Sequence, residues 1–475
     1  MLPALACSGS DGSGPSGGGA AGAGSSASSG GSPGGGAGGA SGVGAAGGVG
    51  GTTSTGGAAG SGAGSTSGGA GGTTSTGGST SGGAGGTTST GGSTSGGAGG
   101  TTSGGAGGSG GSGGSGGTGG GTSDPNAVTA VSLGGGHTCA IKKDGSVWCW
   151  GANNSWQTGS TGVDKVKPAQ VPTLAGATRV AMGYEFSCAF AGGAKCWGAA
   201  SSGQLGNGGT ATTATPQAVS LATASDLAHP VLGHWHGCAL ASDKSAWCWG
   251  WADKGVLGNG VTAGQVFSTP VQAQGVTSAA QLALGEFHSC ALLSGGAAKC
   301  WGYNGLGELG DGTLNQSGVP VDVKGLSGAK QLAAGQQFTC ALSATDSVLC
   351  WGSGASGKLG NGSTAFKGTP TPVTGLANMA SVACGFGHAC AVAKDGSLHC
   401  WGRNDRGQLG DGTKVDSSVP VKVTALSGVA GVAARAYHTC AFTTSGKLHC
   451  WGANDRGQVG DGTKTDRPTP TAVVW

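Results

Sequence analysis

The feature that most restricts the fold of this chain is a tripeptide, Cys-Trp-Gly, that returns seven times with its tryptophan at 150, 197, 249, 301, 351, 401 and 451. The period is about fifty residues, too long for a small helical-pair repeat and suited to one four-stranded propeller blade. Each unit reads in one order: a Pro-Val segment such as 320–324, an apolar segment such as 331–335, a Cys-Ala-Leu segment, and a segment ending in Cys-Trp-Gly. These are four short strand candidates. Between the third and fourth, Lys-Asp-Gly at 143–145 and again at 394–396 supplies the glycine that a tight hairpin needs at positive φ. The pattern predicts an all-β, seven-bladed β-propeller over residues 127–475. The first unit lacks a preceding Pro-Val strand and the last is followed by an unpartnered segment, 470–475. That terminal strand is expected to complete the first blade and close the ring.

Fourteen of the sixteen cysteines form one pair per unit: Cys139 with Cys149, Cys188 with Cys196, Cys238 with Cys248, Cys290 with Cys300, Cys340 with Cys350, Cys390 with Cys400, and Cys440 with Cys450. Six pairs are ten apart and the second is eight apart. Removing one residue from each strand of a hairpin moves the turn yet keeps opposed residues opposed, so the parity points to cross-strand contact in every unit. Disulfides are the favoured reading, each contributing roughly 2–3 kcal/mol by closing a loop of that size, and they imply an oxidising compartment. Two alternatives compete. Cysteines also pack as small apolar thiols, and His137, His236, His288, His388 and His438 each precede a cysteine by two, which on a strand shares one face. A zinc site, however, wants four ligands, and no Cys-x-x-Cys spacing occurs. Phe186 and Phe338 stand where the other units carry histidine, which favours a structural role for the imidazoles. Cys384 has no repeat partner and reads as a buried free thiol.

Ahead of the repeats the composition changes completely. Of the 112 glycines in the 475 residues many lie between Asp11 and Asp124, a stretch without one charged residue and with nothing larger than Val43 and Val49 to bury. Such a segment cannot offset the entropy of ordering, so residues 8–126 read as a disordered Gly/Ser/Thr-rich arm. A 14-residue unit repeats in tandem there, at 71–84 and 85–98. Its root-mean-square span would be about 60 Å. Residues 1–7, Met1-Leu-Pro-Ala-Leu-Ala-Cys7, resemble the cleavage end of a bacterial lipoprotein signal, which makes Cys7 a candidate for lipidation. The charged start and most of the apolar core of such a signal are missing, and a stray cysteine at an ordinary terminus is the alternative. No run of 18 apolar residues exists, and the charge of +3 comes from 23 basic and 20 acidic residues mixed without a stripe. Neither a transmembrane span nor a nucleic-acid partner is suggested.

The run Trp401-Gly-Arg-Asn-Asp-Arg-Gly-Gln-Leu-Gly-Asp-Gly, its counterpart from Trp451, and Gly-x-x-His at 385–388 resemble the signature of regulator-of-chromosome-condensation repeats. The resemblance covers all seven units. It implies a seven-bladed propeller and, from what members of that family share, protein binding. Paired cysteines and an arm argue against a nuclear exchange factor, and the absence of a Gly-Trp-Arg-His-Thr run argues against a photoreceptor. An extracytoplasmic role, secreted or lipid-anchored at a bacterial cell surface, is the remaining expectation.

Chemistry is hard to find. Gly352 to Lys358 imitates a phosphate-binding loop, but Leu359 stands where Ser or Thr should be. Gly107 to Gly111 matches a nucleophile elbow only by chance in a Gly/Ser arm. Asp411 with Asp416, and Asp461 with Asp466, lack the other oxygens of a calcium loop and read as turn residues. No enzyme, cofactor or metal is expected, and the chain is expected to be monomeric. Specificity should reside where repeats differ. The first candidate ring is the pair of residues after the recurrent glycine: Tyr184-Glu185, His234-Trp235, Glu286-Phe287, Gln336-Gln337, Phe386-Gly387 and Ala436-Tyr437. These should encircle one face and bind a protein partner, the alternative ligand being a carbohydrate or cell-wall surface. Packing that merely shields blade ends is the competing role for these aromatics. A second ring follows the Leu-Gly-Asn/Asp-Gly turns, with Trp156 and Trp251 just before it.

Intact mass with and without reduction, combined with thiol alkylation, should count seven bridges. Fourteen or more alkylated thiols in protein kept from reductant would overturn the pairing.

Overall fold

In a computed structural model, which describes residue 124, residues 126–220 and residues 227–475, the described residues form seven antiparallel four-stranded sheets arranged as propeller blades. Cys7 and nearly all of the arm lie outside the described residues. The first blade runs Val128–Leu133, His137–Lys142, Val147–Gly151 and Lys165–Gln170 from the axis outward; the seventh runs Val429–Arg435, His438–Thr443, Leu448–Gly452 and Arg467–Ala472. Strand edges are blunted at the periphery, where prolines such as Pro168, Pro320 and Pro420 sit in the outermost strands and remove ladder donors.

The phase of the repeat differs from expectation. The Pro-Val strand is the outermost strand of the blade whose Cys-Trp-Gly precedes it, so every blade is one contiguous piece of chain. Arg467–Ala472 accordingly pairs with Leu448–Gly452, in register Gly452 to Arg467 and His449 to Ala472, and does not complete the first blade. The fourth place of that blade is already filled by Lys165–Gln170. The last residues still reach the first blade through a side chain: Trp475 packs edge-on against Trp148 and Trp150, with ring centroids 6.0 Å apart in both cases, and Lys142 Nζ lies 4.2 Å from the Trp148 and Trp475 rings.

Blades are joined by one recurring device. The seven Cys-Trp-Gly indoles are fully buried between neighbouring sheets, and each donates Nε1–H to a loop carbonyl of the preceding blade. Trp150 thus bonds Gln458 O at 2.9 Å, Trp197 bonds Gln157 O at 3.0 Å, and Trp451 bonds Gln408 O at 3.0 Å. At five junctions the same carbonyl accepts a hydroxyl, as Gln458 O does from Thr138 at 2.8 Å. Because that hydroxyl donates to the carbonyl, it must accept from the histidine of the preceding blade: His137 to Ser187 (2.9 Å), His236 to Ser289 (2.9 Å), His288 to Thr339 (2.9 Å), His388 to Thr439 (2.8 Å) and His438 to Thr138 (3.0 Å). Where a blade carries Phe186 or Phe338 instead, the next blade has Gly237 or Ala389 in place of the hydroxyl. Imidazole and hydroxyl come and go together.

All seven cysteine pairs are disulfides between directly opposed residues of the second and third strands, including the shorter hairpin of Cys188 and Cys196. Cys384 is a buried free thiol. Seven disulfides point to an oxidising environment. No helix among the described residues is long and apolar enough to cross a membrane.

Burial sets the charge of the joint. It pushes His137, His236 and His388 down to about 3, and His288 and His438 to about 4, so all five imidazoles are neutral in the fold. The unfolded chain takes up these protons below its ordinary value near 6.5 while the folded chain does not, so stability present above pH 6.5 is lost as pH falls towards 3–4. Thermal unfolding between pH 7 and pH 4 should show a steep fall in Tm. The double variant His388→Phe/Thr439→Ala, which copies the Phe338–Ala389 junction, should fold and flatten that fall; an unchanged pH profile would contradict the assignment.

Candidate functional site

The loops joining the first and second strands of all the blades lie on one face, around the axis. The chain enters the first blade on the opposite face, where Val128 pairs with Lys142 beside the 143–146 turn, and Val473 leaves the last strand on that same opposite face.

The candidate ring converges where it was expected to encircle. Tyr184 stacks on His234 with centroids 4.1 Å apart, Phe386 lies 6.0 Å from both, and Tyr437 meets Phe386 edge-on at 5.9 Å. Side chains from the second, third, sixth and seventh blades therefore meet over the axis and close it, because the innermost strands crowd their loops together there. His234 and Phe386 are buried, and His234 Nδ1 lies 3.2 Å from Glu286 Oε1. For these residues packing accounts for the aromatic character. Tyr184, Glu185, Glu286, Phe287, Gln336, Gln337 and Tyr437 are half-buried.

Beneath this plug lies a residue the sequence reading missed. Arg435 occupies the position where the other six units have glycine, a position at which a Cβ at Gly134 or Gly385 would strike the neighbouring imidazole. The seventh unit escapes that clash with a different turn, in which the strand continues to Arg435 and Ala436 takes φ 44°. The guanidinium is fully buried and crosses to the third blade, donating to Leu232 O at 2.8 Å and Gly233 O at 2.7 Å. Burial lowers it to about 10, with Glu286 opposing the shift, so it is cationic at neutral pH. A lone Arg in a column of glycines was the available signal.

Two features face solvent. Over the third and fourth blades Trp235, 41% exposed, lies 6.4 Å from Trp251, 37% exposed, and 5.9 Å from Phe287. The Trp251 amide donates to Trp235 O at 3.0 Å, which ties the two candidate rings into one patch. Over the sixth, seventh, first and second blades there is an open cleft of about 280 Å³, lined among others by Tyr184, Glu185, Tyr437, Arg406, Asp455 and Arg456. It opens above Gly136, at a position where five of the other six units carry a side chain. Arg406, Asp455 and Arg456 were not foreseen as site residues, although they stand in the repeated Asn-Asp-Arg-Gly-Gln runs.

The lysine of the apparent phosphate loop, Lys358, is buried with its Nζ 5.6 Å from the Phe338 ring. Asp411 and Asp461 cap their own turns, each accepting from the Asn and Thr of its loop. Among the described residues no group of three or more His, Cys, Asp or Glu side chains could hold a metal ion.

A family model described as an RCC1-like domain matches residues 105–429, and regulator of chromosome condensation (RCC1) repeat models match 429–458 and 445–474. Among solved structures, human WBSCR16 is similar at 22% identity and a TM-score of 0.63, covering 70% of this chain and 94% of that one. Prp20p from Saccharomyces cerevisiae is similar at 21% identity and a TM-score of 0.62, covering 70% and 87%. At these identities the likeness is one of fold.

Arg435→Met should leave two carbonyls and Glu286 without their cation and destabilise the propeller by about 3 kcal/mol. Denaturant unfolding measures this; a loss indistinguishable from zero would show that the crossing contact contributes nothing.

Proposed function

The chain belongs to the RCC1-like domain family, and from that membership we propose that it is a non-catalytic binding module that captures a protein partner on its loop face. One observation carries the reading: Trp235 and Trp251 present two indoles to solvent beside Phe287, on the face opposite the one where Val128 enters the first blade and Val473 leaves the last. Large aromatic side chains with few rotors supply most of the energy in protein interfaces when they bury into a partner. Neighbouring half-buried groups, Glu286 and the charged Asp253 and Lys254, form a polar rim of the kind such patches have. Use of the fold for protein capture has parallels: the yeast RCC1 protein Prp20 has been solved with Kap60 bound, and Prp20p has binding properties towards Gsp1p and histones.

The module works outside the cytoplasm as a monomer, secreted or held at the surface through a lipid on Cys7. Seven disulfides support that address. Residues 8–126 serve as the tether between Cys7 and the propeller. No cofactor takes part.

Crosslinking of the propeller in the extracytoplasmic fraction of its source, followed by affinity measurement on the enriched protein, tests the reading. Trp235→Ala should weaken capture by about 30-fold, the loss of one interface anchor worth roughly 2 kcal/mol. Equal enrichment by wild type and by a Trp235→Ala/Trp251→Ala variant would overturn it.

A further inference from the structure

The cleft above Gly135-Gly136 is a second surface, separate from the exposed indoles. At the position of Gly136 five of the other six units carry a side chain, Glu185, Trp235, Phe287, Gln337 and Tyr437, and over the remaining one, Gly387, the Arg403 stem packs, so the first blade leaves a gap in a row of side chains. Tyr184 and Tyr437 flank the gap, and polar groups fill its outer wall.

The hydrogen-bonding capacity of those polar groups defines what fits. Glu185 is held in place by Asn154 Nδ2 at 3.0 Å and Ser155 Oγ at 3.2 Å. Asp455 accepts Gln458 Nε2 on Oδ1 at 3.0 Å, which leaves Oδ2 open. Arg456 donates one N–H to Asp164 at 3.3 Å and Arg406 donates one to Asp466 at 3.1 Å. A guanidinium has five N–H groups, so each arginine is fixed from behind and retains donors for the cleft. Two cations and two anions thus face one space. A charged ligand would gain from one pair and lose to the other. A ligand that both donates and accepts through neutral hydroxyls, and has an apolar face to lay on a tyrosine, satisfies all of them.

We propose that this cleft binds one or two rings of an uncharged saccharide. The volume, about 280 Å³, lies just under the range of about 300–1,000 Å³ common for small-ligand sites, as a ring-sized ligand requires. Tyr184 and Tyr437 supply the platforms, Arg406 and Arg456 the donors, and Asp455 Oδ2 the acceptor.

Saturation-transfer NMR on the full chain with the methyl glycosides of glucose, galactose, mannose and N-acetylglucosamine tests this. At least one glycoside should receive saturation. Gly136→Tyr should abolish the transfer by filling the gap; a Cβ at Gly136 meets only Ala152 Cβ at 3.3 Å and the Arg456 stem at 3.6 Å or beyond, and tyrosine is the residue of the seventh unit at that position. Asp455→Asn should weaken the apparent affinity about tenfold, the cost of one charge-assisted hydrogen bond, and keeps the test open should the filled variant misfold. Trp235→Ala should leave the transfer intact, which separates this site from the exposed indole patch. Saturation of none of the four glycosides, transfer unchanged in a folded Gly136→Tyr variant, or transfer to acetyl-glutamate amide but to no sugar would each overturn the proposal.

Discussion

Everything in this propeller hangs on a single carbonyl at each blade junction. It accepts an indole N–H from the next blade at all seven junctions and a hydroxyl at five, so the orientation of one peptide group fixes where the neighbouring sheet sits. Each such bond contributes only about 1 kcal/mol net, but the donor is a tryptophan whose burial adds several times that, and losing either partner strands a polar group in a dry interface. The junction between the seventh and first blades uses the same device, through Trp150, Thr138 and His438. Ring closure therefore needs no strand exchanged between the ends of the chain.

Much of this was legible in the residues. The Cys-Trp-Gly period set the number of blades, the parity of the cysteine spacings set their pairing, and the glycine of Lys-Asp-Gly marked the hairpins, with Gly145 at φ 78° and Gly396 at φ 80°. Each is a local signal, in which partners lie within about ten residues. The pairing of His with Ser or Thr one blade later was also present, as a matched loss at Phe186 with Gly237 and Phe338 with Ala389, but it only becomes readable once neighbouring units are aligned one step out of register. The phase of the blade was not legible, since a cyclic repeat looks the same wherever it is cut. What decides it is whether the first blade already owns an outer strand; connection length misleads, because the link to the outer strand within a blade, such as 303–316, is longer than the link that leaves it, 323–330.

The loop face was legible in composition and not in arrangement. That aromatics gather at the positions after the recurrent glycine is visible in the sequence. That Tyr184, His234 and Phe386 meet over the axis depends on the radius of the closed ring, a property of seven blades together. Arg435 is the extreme case, since its two acceptors lie 203 and 202 residues away. The cleft was missed for the converse reason: Gly135 and Gly136 offer no side chain to single out, whereas the space above them is shaped by Tyr437 and Arg456 from the other end of the chain.

The disulfides also govern how such a domain would behave under mechanical load. Each bridge joins the second and third strands of its own blade, across eight or ten residues, and among the described residues none joins one blade to another. A pull that tore the ring open would meet hydrogen bonds, ion pairs and packing at the junctions but no covalent link, so blades could part in sequence. Within each parted blade the clamped hairpin would withhold about 30 Å of contour length, at some 3.4 Å for each extended residue. The ring would pay out chain one blade at a time, and each hairpin would stay closed as a ready-made template on which its blade could fold again once the load was removed.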